Sequence, residues 1–176
     1  MQHEDANFLL SVMTDHDNRI SGMLWCSGKN KMEYAVFGDA VTFDTTYKTN
    51  LYNMPFGLFV GVNNHFQSTV FGAVLLTTET IDNFIWASQT FISFMGGKEP
   101  QTTLTDQCAS TAGDIRNILP NTQHRWCRWH VLKNAKENLG SVYSQFRGFK
   151  GEFHSLITDV MDEVVGLIST PKVQRP

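Results

Sequence analysis

Residues 40–47 read AVTFDTTY, an alternation of apolar and polar residues that predicts a β-strand carrying Asp44 near its end. A second run, TTLTD, brings the chain to Asp106 at the end of a predicted strand over Thr102–Thr105. Two facing carboxylates repel each other, and divalent ions about 3.5–4 Å apart relieve that repulsion. The two aspartates therefore predict a Mg²⁺ or Mn²⁺ site. The alternative is that each one caps the turn or helix that follows it.

The elements around these aspartates follow the order βββαβαβα. Strands are predicted over about 40–47, 56–62, 68–76, 102–105 and 124–128, and helices over about 80–95, 110–118 and 130–140. A strand that follows a crossover helix lies parallel to an earlier strand of the sheet. The order predicts an α/β protein with a ribonuclease-H-like fold, a mixed five-stranded sheet flanked by helices. In that fold strands one and four are neighbours, so Asp44 and Asp106 would face each other.

The helix over about 80–95 has apolar residues at helical spacing, which predicts one face packed on the sheet. The residues of that face are Ile81, Phe84, Ile85, Phe91 and Ile92. Residues 1–38 are predicted to be a lead-in with a strand near Ile20–Cys26 and a helix near Lys31–Val36. The domain itself is expected over 39–166, followed by a tail over 167–176.

Composition and charge exclude several classes of protein. Hydrophobic residues make up 41% and charged residues 18% of 176 positions, which predicts one folded domain. No apolar run approaches the roughly 20 residues of a membrane span, so we expect no membrane association. The net charge is −3, yet residues 116–150 hold seven Lys or Arg against Glu137 alone. This basic stretch is typical either of phosphate binding or of a solvated helix face.

Four blocks of the sequence resemble one known family. They are FGDAVTFDTTYKTN (37–50), MPFGLFVGVNNH (54–65), FMGGKEPQTTLTDQ (94–107) and LPNTQHRWCRWHVLKN (119–134). The chain resembles the Mutator-like-element transposase domain, and in particular its plant form in the far-red-impaired-response and far-red-elongated-hypocotyl related proteins. This resemblance implies a transposase-derived, ribonuclease-H-like domain of a nuclear protein.

The resemblance also implies which residues form the site. Asp44 and Asp106 fall on the two catalytic-type acids of the family, and a third is expected on the helix after the Cys-x-x-His element, where Glu163 is our choice. That element is Cys127-Arg-Trp-His130 here. A closed zinc site takes four ligands, and one Cys–His pair is too few, so zinc is not expected in this fragment. The alternative places Cys127 in the core and His130 in a hydrogen bond near the acidic pocket.

The sequence departs from the family pattern beside the second acid. Cys108 stands at a position that is commonly acidic in relatives, which lowers the local negative charge. The chain also stops before the further helices and zinc-binding segment of relatives, and it lacks their N-terminal DNA-binding domain, so it is expected to be a fragment or a shortened member.

Two functions are compatible with these residues. The first is a non-catalytic domain of a plant nuclear transcription regulator, which dimerises with itself or with related proteins and reaches DNA through modules absent here. The second is an active transposase core that cuts DNA by a two-metal mechanism through Asp44, Asp106 and Glu163. The poorly defined third acid favours the non-catalytic domain. The net negative charge favours it too, because proteins that bind DNA tightly neutralise its phosphates with Lys and Arg.

Overall fold

The computed structural model describes residues 5–46, 50–106 and 118–168, with side chains except at position 46 and from position 159 onward. The chain divides into two compact units, the first ending at Trp126 and the second beginning at Cys127. Within the described ranges, no helix is both long and apolar enough to cross a membrane.

The first unit contains a mixed sheet, to which the described residues contribute seven strands. The strands are β1 (Leu9–Thr14), β2 (Ile20–Cys26), β3 (Ala40–Thr46), β4 (Phe56–Val62), β5 (Ser68–Leu76), β6 (Thr102–Thr105) and β7 (Gln123–Trp126). Their order across the sheet is β1-β2-β5-β4-β3-β6-β7. The neighbours from β1 to β3 are antiparallel, whereas β6 runs parallel to both β3 and β7. The predicted α/β class with a mixed sheet is therefore confirmed.

Two helices pack on one face of this sheet. Helix α1 (Gly28–Phe37) begins at Ser27, whose hydroxyl accepts from the Asn30 backbone N–H while the Asn30 side chain accepts from the Ser27 N–H. Helix α2 (Ile81–Phe94) begins at the Thr80 cap. It ends before Gly96 and Gly97, whose φ angles of 72° and 81° suit glycine best. Local capping chemistry thus sets the bounds of both helices.

Aromatic rings fill the layer between the sheet and these helices. Tyr34 of α1 makes edge-on contacts with Phe71 and Phe91, at centroid distances of 5.2 and 5.3 Å. Phe91 of α2 in turn stacks on Phe59 of β4 at 4.0 Å. Burying such side chains stabilises the fold by about 1.5–3 kcal/mol each. The sheet and both helices therefore share one core.

A β-bulge adapts the sheet to this core. The register of β4 with β5 passes from Phe59↔Gly72 to Val60↔Val70, so Phe71 is the additional residue. A Cβ atom on Gly61 would lie 2.4 Å from the Phe71 ring. Glycine at position 61 is what lets this ring lie against β4.

The second unit is helical in its described part. Its helices are α3 (Arg128–Asn138), α4 (Gly140–Gln145) and α5 (Phe149–Ile168). The Tyr143 ring of α4 lies 5.9 Å from the Phe149 ring and 6.5 Å from the Phe153 ring of α5. These aromatic contacts join α4 to α5.

The structure differs from the sequence prediction at three places. The sheet has two strands more than the predicted five, because β1 pairs with β2 and β2 pairs with β5. Strand β1 was not predicted at all. Ile81 is 46% exposed and does not join the packed face of α2, because it lies in the first turn beside the cap. The predicted helix over 110–118 falls almost entirely outside the described residues.

Candidate metal centre

Two parallel strands bring the predicted aspartates to equivalent positions. Strands β3 and β6 pair in the register Ala40↔Thr102, Val41↔Thr103 and Thr42↔Leu104. Asp44 follows Thr42 by two residues, and Asp106 follows Leu104 by two residues. The same register, continued by two residues, sets Asp44 opposite Asp106, and neighbouring strands are about 4.8 Å apart.

Side-chain alternation places Asp44 on the face of the sheet opposite to α1 and α2. Val41 and Phe43 point into the core and are 2% and 7% exposed. Thr42 and Asp44 therefore point the other way, and both are partly exposed. The face that α2 covers holds a small apolar cavity lined by residues that include Phe43, Phe84 and Thr103.

A short hydrogen-bond chain holds the end of β6, where Asp106 begins. The Thr105 hydroxyl donates to the Asp106 carbonyl oxygen at 3.0 Å, and its oxygen lies 2.8 Å from Nε2 of His124 on β7. The hydroxyl has one proton, so which partner donates in the Thr105–His124 hydrogen bond depends on the tautomer of His124. Thr105 is only 1% exposed. Thr105 and His124 thus fix the backbone from which the second aspartate projects.

Sequence reasoning missed these two supporting residues. The sequence predicts Thr105 and His124 only as members of two strands. Strands β6 and β7 pair in parallel, with Thr103 opposite His124 and Thr105 opposite Trp126. One sequence feature could have indicated this series of hydrogen bonds, namely a threonine that directly precedes a strand-end aspartate. A buried hydroxyl at that position must form a hydrogen bond.

The side chain of Asn50 orders residues 50–54, which lead into β4. Oδ1 of Asn50 accepts from the backbone N–H groups of Tyr52 and Met54, both at 3.1 Å, and its Nδ2 donates to the Met54 carbonyl at 2.6 Å. Tyr52 is 77% exposed as a result. Because β3 carries Asp44 toward its C-terminal end, this loop lies at the same end of the sheet as the aspartates.

The carboxylates could bind a hard divalent cation, for which oxygen ligands are the natural choice. Such a cation takes about six oxygen neighbours, so two aspartates would leave several positions to water or to other groups. Among the side chains that the structure describes, no group of three His, Cys, Asp or Glu residues could hold a metal ion. Glu163, the predicted third acid, lies in α5 in the second unit, and its side chain falls outside the described part.

The Cys-x-x-His pair lies at the start of α3 in the second unit. Cys127 occupies the N-cap position without a side-chain capping bond, and its thiol is free and partly buried. His130 follows in the first turn, where its ring makes an edge-on contact with Trp129 at 4.6 Å. The two residues share one helix turn. Cys108, the predicted replacement for an acid, lies outside the described residues.

Comparison with known proteins identifies a family. Residues 40–134 match the sequence profile of the MULE transposase domain. Protein FAR1-RELATED SEQUENCE 5 of Arabidopsis thaliana is 36% identical over 157 residues, which cover 89% of this chain and 20% of that protein. Protein FAR-RED IMPAIRED RESPONSE 1 of the same plant is 32% identical over 157 residues, 89% of this chain and 19% of that protein.

A third relative from Arabidopsis thaliana matches this chain with similar identity and coverage. Protein FAR1-RELATED SEQUENCE 4 is 37% identical over 139 residues, or 79% of this chain and 19% of that protein. The chain thus spans about a fifth of the length of the curated relatives it matches. The matched region contains both aspartates and the Cys-x-x-His element.

Proposed function

The chain belongs to the MULE transposase domain family, and we propose that it is the transposase-derived, non-catalytic domain of a plant nuclear transcription regulator. The observation that carries this proposal is the similarity to FAR-RED IMPAIRED RESPONSE 1 and to FAR1-related proteins over most of the chain. In this role the domain dimerises with a second copy of itself or with related proteins. DNA is reached through modules outside this chain.

We further propose a ribonuclease-H-like fold for this domain, covering 39–166. The strand order β5-β4-β3-β6-β7 supports it, since it places three antiparallel strands beside two parallel ones with the first and fourth strands adjacent. Strands β1 and β2 extend the antiparallel side of that arrangement. The aspartates at the ends of β3 and β6 would then occupy the inherited catalytic position.

The chemistry of the two aspartates supports loss of catalysis. A two-metal centre activates the attacking oxygen and stabilises the leaving oxygen, and it needs enough protein ligands to fix both ions. Asp44 and Asp106 supply two carboxylates, and Cys108 adds none at the position next to Gln107. A loosely held ion positions substrate poorly, and positioning accounts for a large share of enzymatic rate enhancement.

The second candidate, an active transposase core, is favoured by one observation. Asp44 and Asp106 stand opposite each other when the β3–β6 register is continued, as a two-metal site would require. With a third carboxylate from Glu163, such a site would cleave a phosphodiester by in-line attack. The two candidates differ in whether this chain cuts DNA.

A plasmid-nicking assay separates the candidates. The purified chain is incubated with supercoiled plasmid and Mg²⁺ or Mn²⁺, beside Asp44→Asn and Asp106→Asn variants prepared identically. We expect all three proteins to give the same background. If the unaltered chain nicks the plasmid and either substitution abolishes the nicking, the active transposase core is established instead. A fluorescent fusion of the protein in plant cells tests the nuclear location, and exclusion from the nucleus would contradict it.

A further inference from the structure

Helix α3 exposes a tryptophan at its surface. Trp129 is 61% exposed, although a ring of this size usually gains free energy by burial. The ammonium group of Lys133 lies 5.2 Å from the centre of the Trp129 ring. An exposed indole beside a cation offers a flat stacking surface and a positive charge at one place.

The same face of α3 carries a second lysine. Residues 129, 133 and 136 are spaced by four and three positions, so Trp129, Lys133 and Lys136 lie on one side of the helix. Both lysines are exposed, and neither forms an ion pair with any carboxylate of the described residues. We call Trp129, Lys133 and Lys136 the α3 stripe.

Two lysines of the first unit form ion pairs with acids. Lys29 pairs with Glu33 and Lys98 pairs with Asp39, each at 3.6 Å. From position 127 to position 158, by contrast, there are five Lys or Arg against two acids. The members of that set are Arg128, Lys133, Lys136, Arg147, Lys150, Glu137 and Glu152. Three acids, Asp159, Asp162 and Glu163, follow further along α5, so the charge that is complementary to a polyanion lies on α3 and in the segment up to the start of α5.

We propose that the α3 stripe binds single-stranded nucleic acid, with a base stacked on Trp129 and the adjoining phosphates on Lys133 and Lys136. The inference deepens the proposed function and rests on it, because it gives a DNA-associated regulator a contact of its own within this chain. A duplex hides the faces of its bases within the stack, whereas a single strand presents them to an aromatic ring. The exposed ring therefore selects a single strand over a duplex, and the lysines select a polyanion over a neutral partner.

Fluorescence anisotropy with the full chain tests this inference. The probe is a labelled oligothymidine of about 20 nucleotides, longer than the roughly 4–16 nucleotides of known single-strand sites. The variants are Trp129→Ala, Trp129→Phe and the double change Lys133→Gln with Lys136→Gln. Phe66→Ala is the matched control, since it removes a ring that is 93% exposed in the first unit. Circular dichroism checks that every variant keeps its helices.

The expected results are quantitative. Trp129→Ala should weaken binding at least about fivefold, the loss that one stacked base implies, and Trp129→Phe should retain most of the affinity. The double lysine change should reduce the slope of log K against log salt by about 1.4, because each phosphate contact to a single strand contributes about 0.7. Phe66→Ala should bind as the unaltered chain does.

Several outcomes would overturn the inference. One is that the unaltered chain does not bind the oligothymidine, or binds a duplex more tightly or polyglutamate equally well. Another is that Trp129→Ala binds the oligothymidine as tightly as the unaltered chain does. A third is that Phe66→Ala weakens binding as much as Trp129→Ala does. Its failure is distinct from failure of the proposed function. A chain that neither binds the oligothymidine nor nicks plasmid loses this inference alone. A chain that nicks plasmid through Asp44 loses the non-catalytic role, whatever it binds.

Discussion

Asp44 and Asp106 hold equivalent positions on adjacent parallel strands, each two residues beyond the last pair of the β3–β6 ladder, Thr42↔Leu104. They are 62 positions apart in the sequence, and the crossover through α2 is what makes them neighbours. Two acids at matching positions concentrate negative charge on the face of the sheet opposite to α1 and α2. A divalent cation between them would relieve that repulsion whether or not the site cleaves DNA.

We predict that Mn²⁺ stabilises the chain through these two aspartates. A ligand that binds only the folded state raises the free energy of unfolding by about 1.4 kcal/mol at ten times its Kd. Asp44→Asn and Asp106→Asn should each remove this gain, because either change leaves a single carboxylate. Differential scanning calorimetry with and without Mn²⁺ measures it. Asp17→Asn, a change in an exposed turn residue, is the control and should keep the gain, while an undiminished gain in both site variants would contradict the prediction.

A second prediction concerns the support of Asp106. Thr105→Val should lower the free energy of unfolding by about 1–3 kcal/mol, because it leaves Nε2 of His124 and the Asp106 carbonyl without the Thr105 hydroxyl. Thr103→Val is the matched control on the same strand. Thr103 is 6% exposed and lines the apolar cavity, so we expect that replacing its hydroxyl by a methyl group costs little stability. Urea denaturation measures the free energy of unfolding of both variants. An equal loss in both would mean that the hydrogen bonds of the Thr105 hydroxyl do not stabilise the fold.

Strand periodicity and turn residues predicted most of the sheet. The bounds Phe56–Val62, Ser68–Leu76 and Thr102–Thr105 agree with the structure. These strands are bounded by turn residues such as Asn53 and Pro55, which fix where pairing can begin. The pairing of the two strands that carry Asp44 and Asp106 was likewise predictable, because strands one and four are neighbours in the ribonuclease-H-like order.

Features that depend on distant contacts were not predictable. Strand β1 lies at the edge of the sheet, and its residues alternate between partly buried and exposed because alternate side chains face the core, on which Leu9 packs. The bulge at Phe71 accompanies a contact of its ring with Tyr34, which is far away in the sequence. Likewise, no local pattern shows that the Thr105 hydroxyl meets His124. Tertiary packing decides such features.

The third prediction tests the packing of α2. Phe91→Ala should cost about 3–5 kcal/mol, the range for a large ring removed from a close-packed core, because Phe91 is 2% exposed. It also loses the stacking contact with Phe59 and the edge contact with Tyr34. Ile81→Ala on the same helix is the control and should cost less than about 1 kcal/mol, since Ile81 is 46% exposed. Urea unfolding monitored by circular dichroism measures both, and equal costs would show that α2 does not dock by this face.

The fourth prediction concerns alkaline pH and Tyr34. Burial raises the pKa of the Tyr34 phenol well above its ordinary value of 10, and the nearby carboxylates of Asp39 and Glu99 raise this pKa further. The folded state thus keeps a proton that the unfolded state releases. The resulting stability is complete below pH 10, the unfolded pKa, and is lost as the pH rises toward the folded pKa. Between those values the free energy of unfolding should fall by up to about 1.4 kcal/mol per pH unit from this group.

Tyr34→Phe isolates this contribution. The variant keeps the ring contacts with Phe71 and Phe91 but loses the hydroxyl that donates to the Lys98 carbonyl at 2.8 Å, so at neutral pH it should be about 1 kcal/mol less stable. Above pH 10 its stability should fall less steeply than that of the unaltered chain, and the two curves should converge. Urea midpoints from pH 7 to pH 11 measure this, with Tyr52→Phe, at a 77% exposed ring, as the control. Curves that stay parallel above pH 10 would show that ionisation of Tyr34 is not coupled to folding.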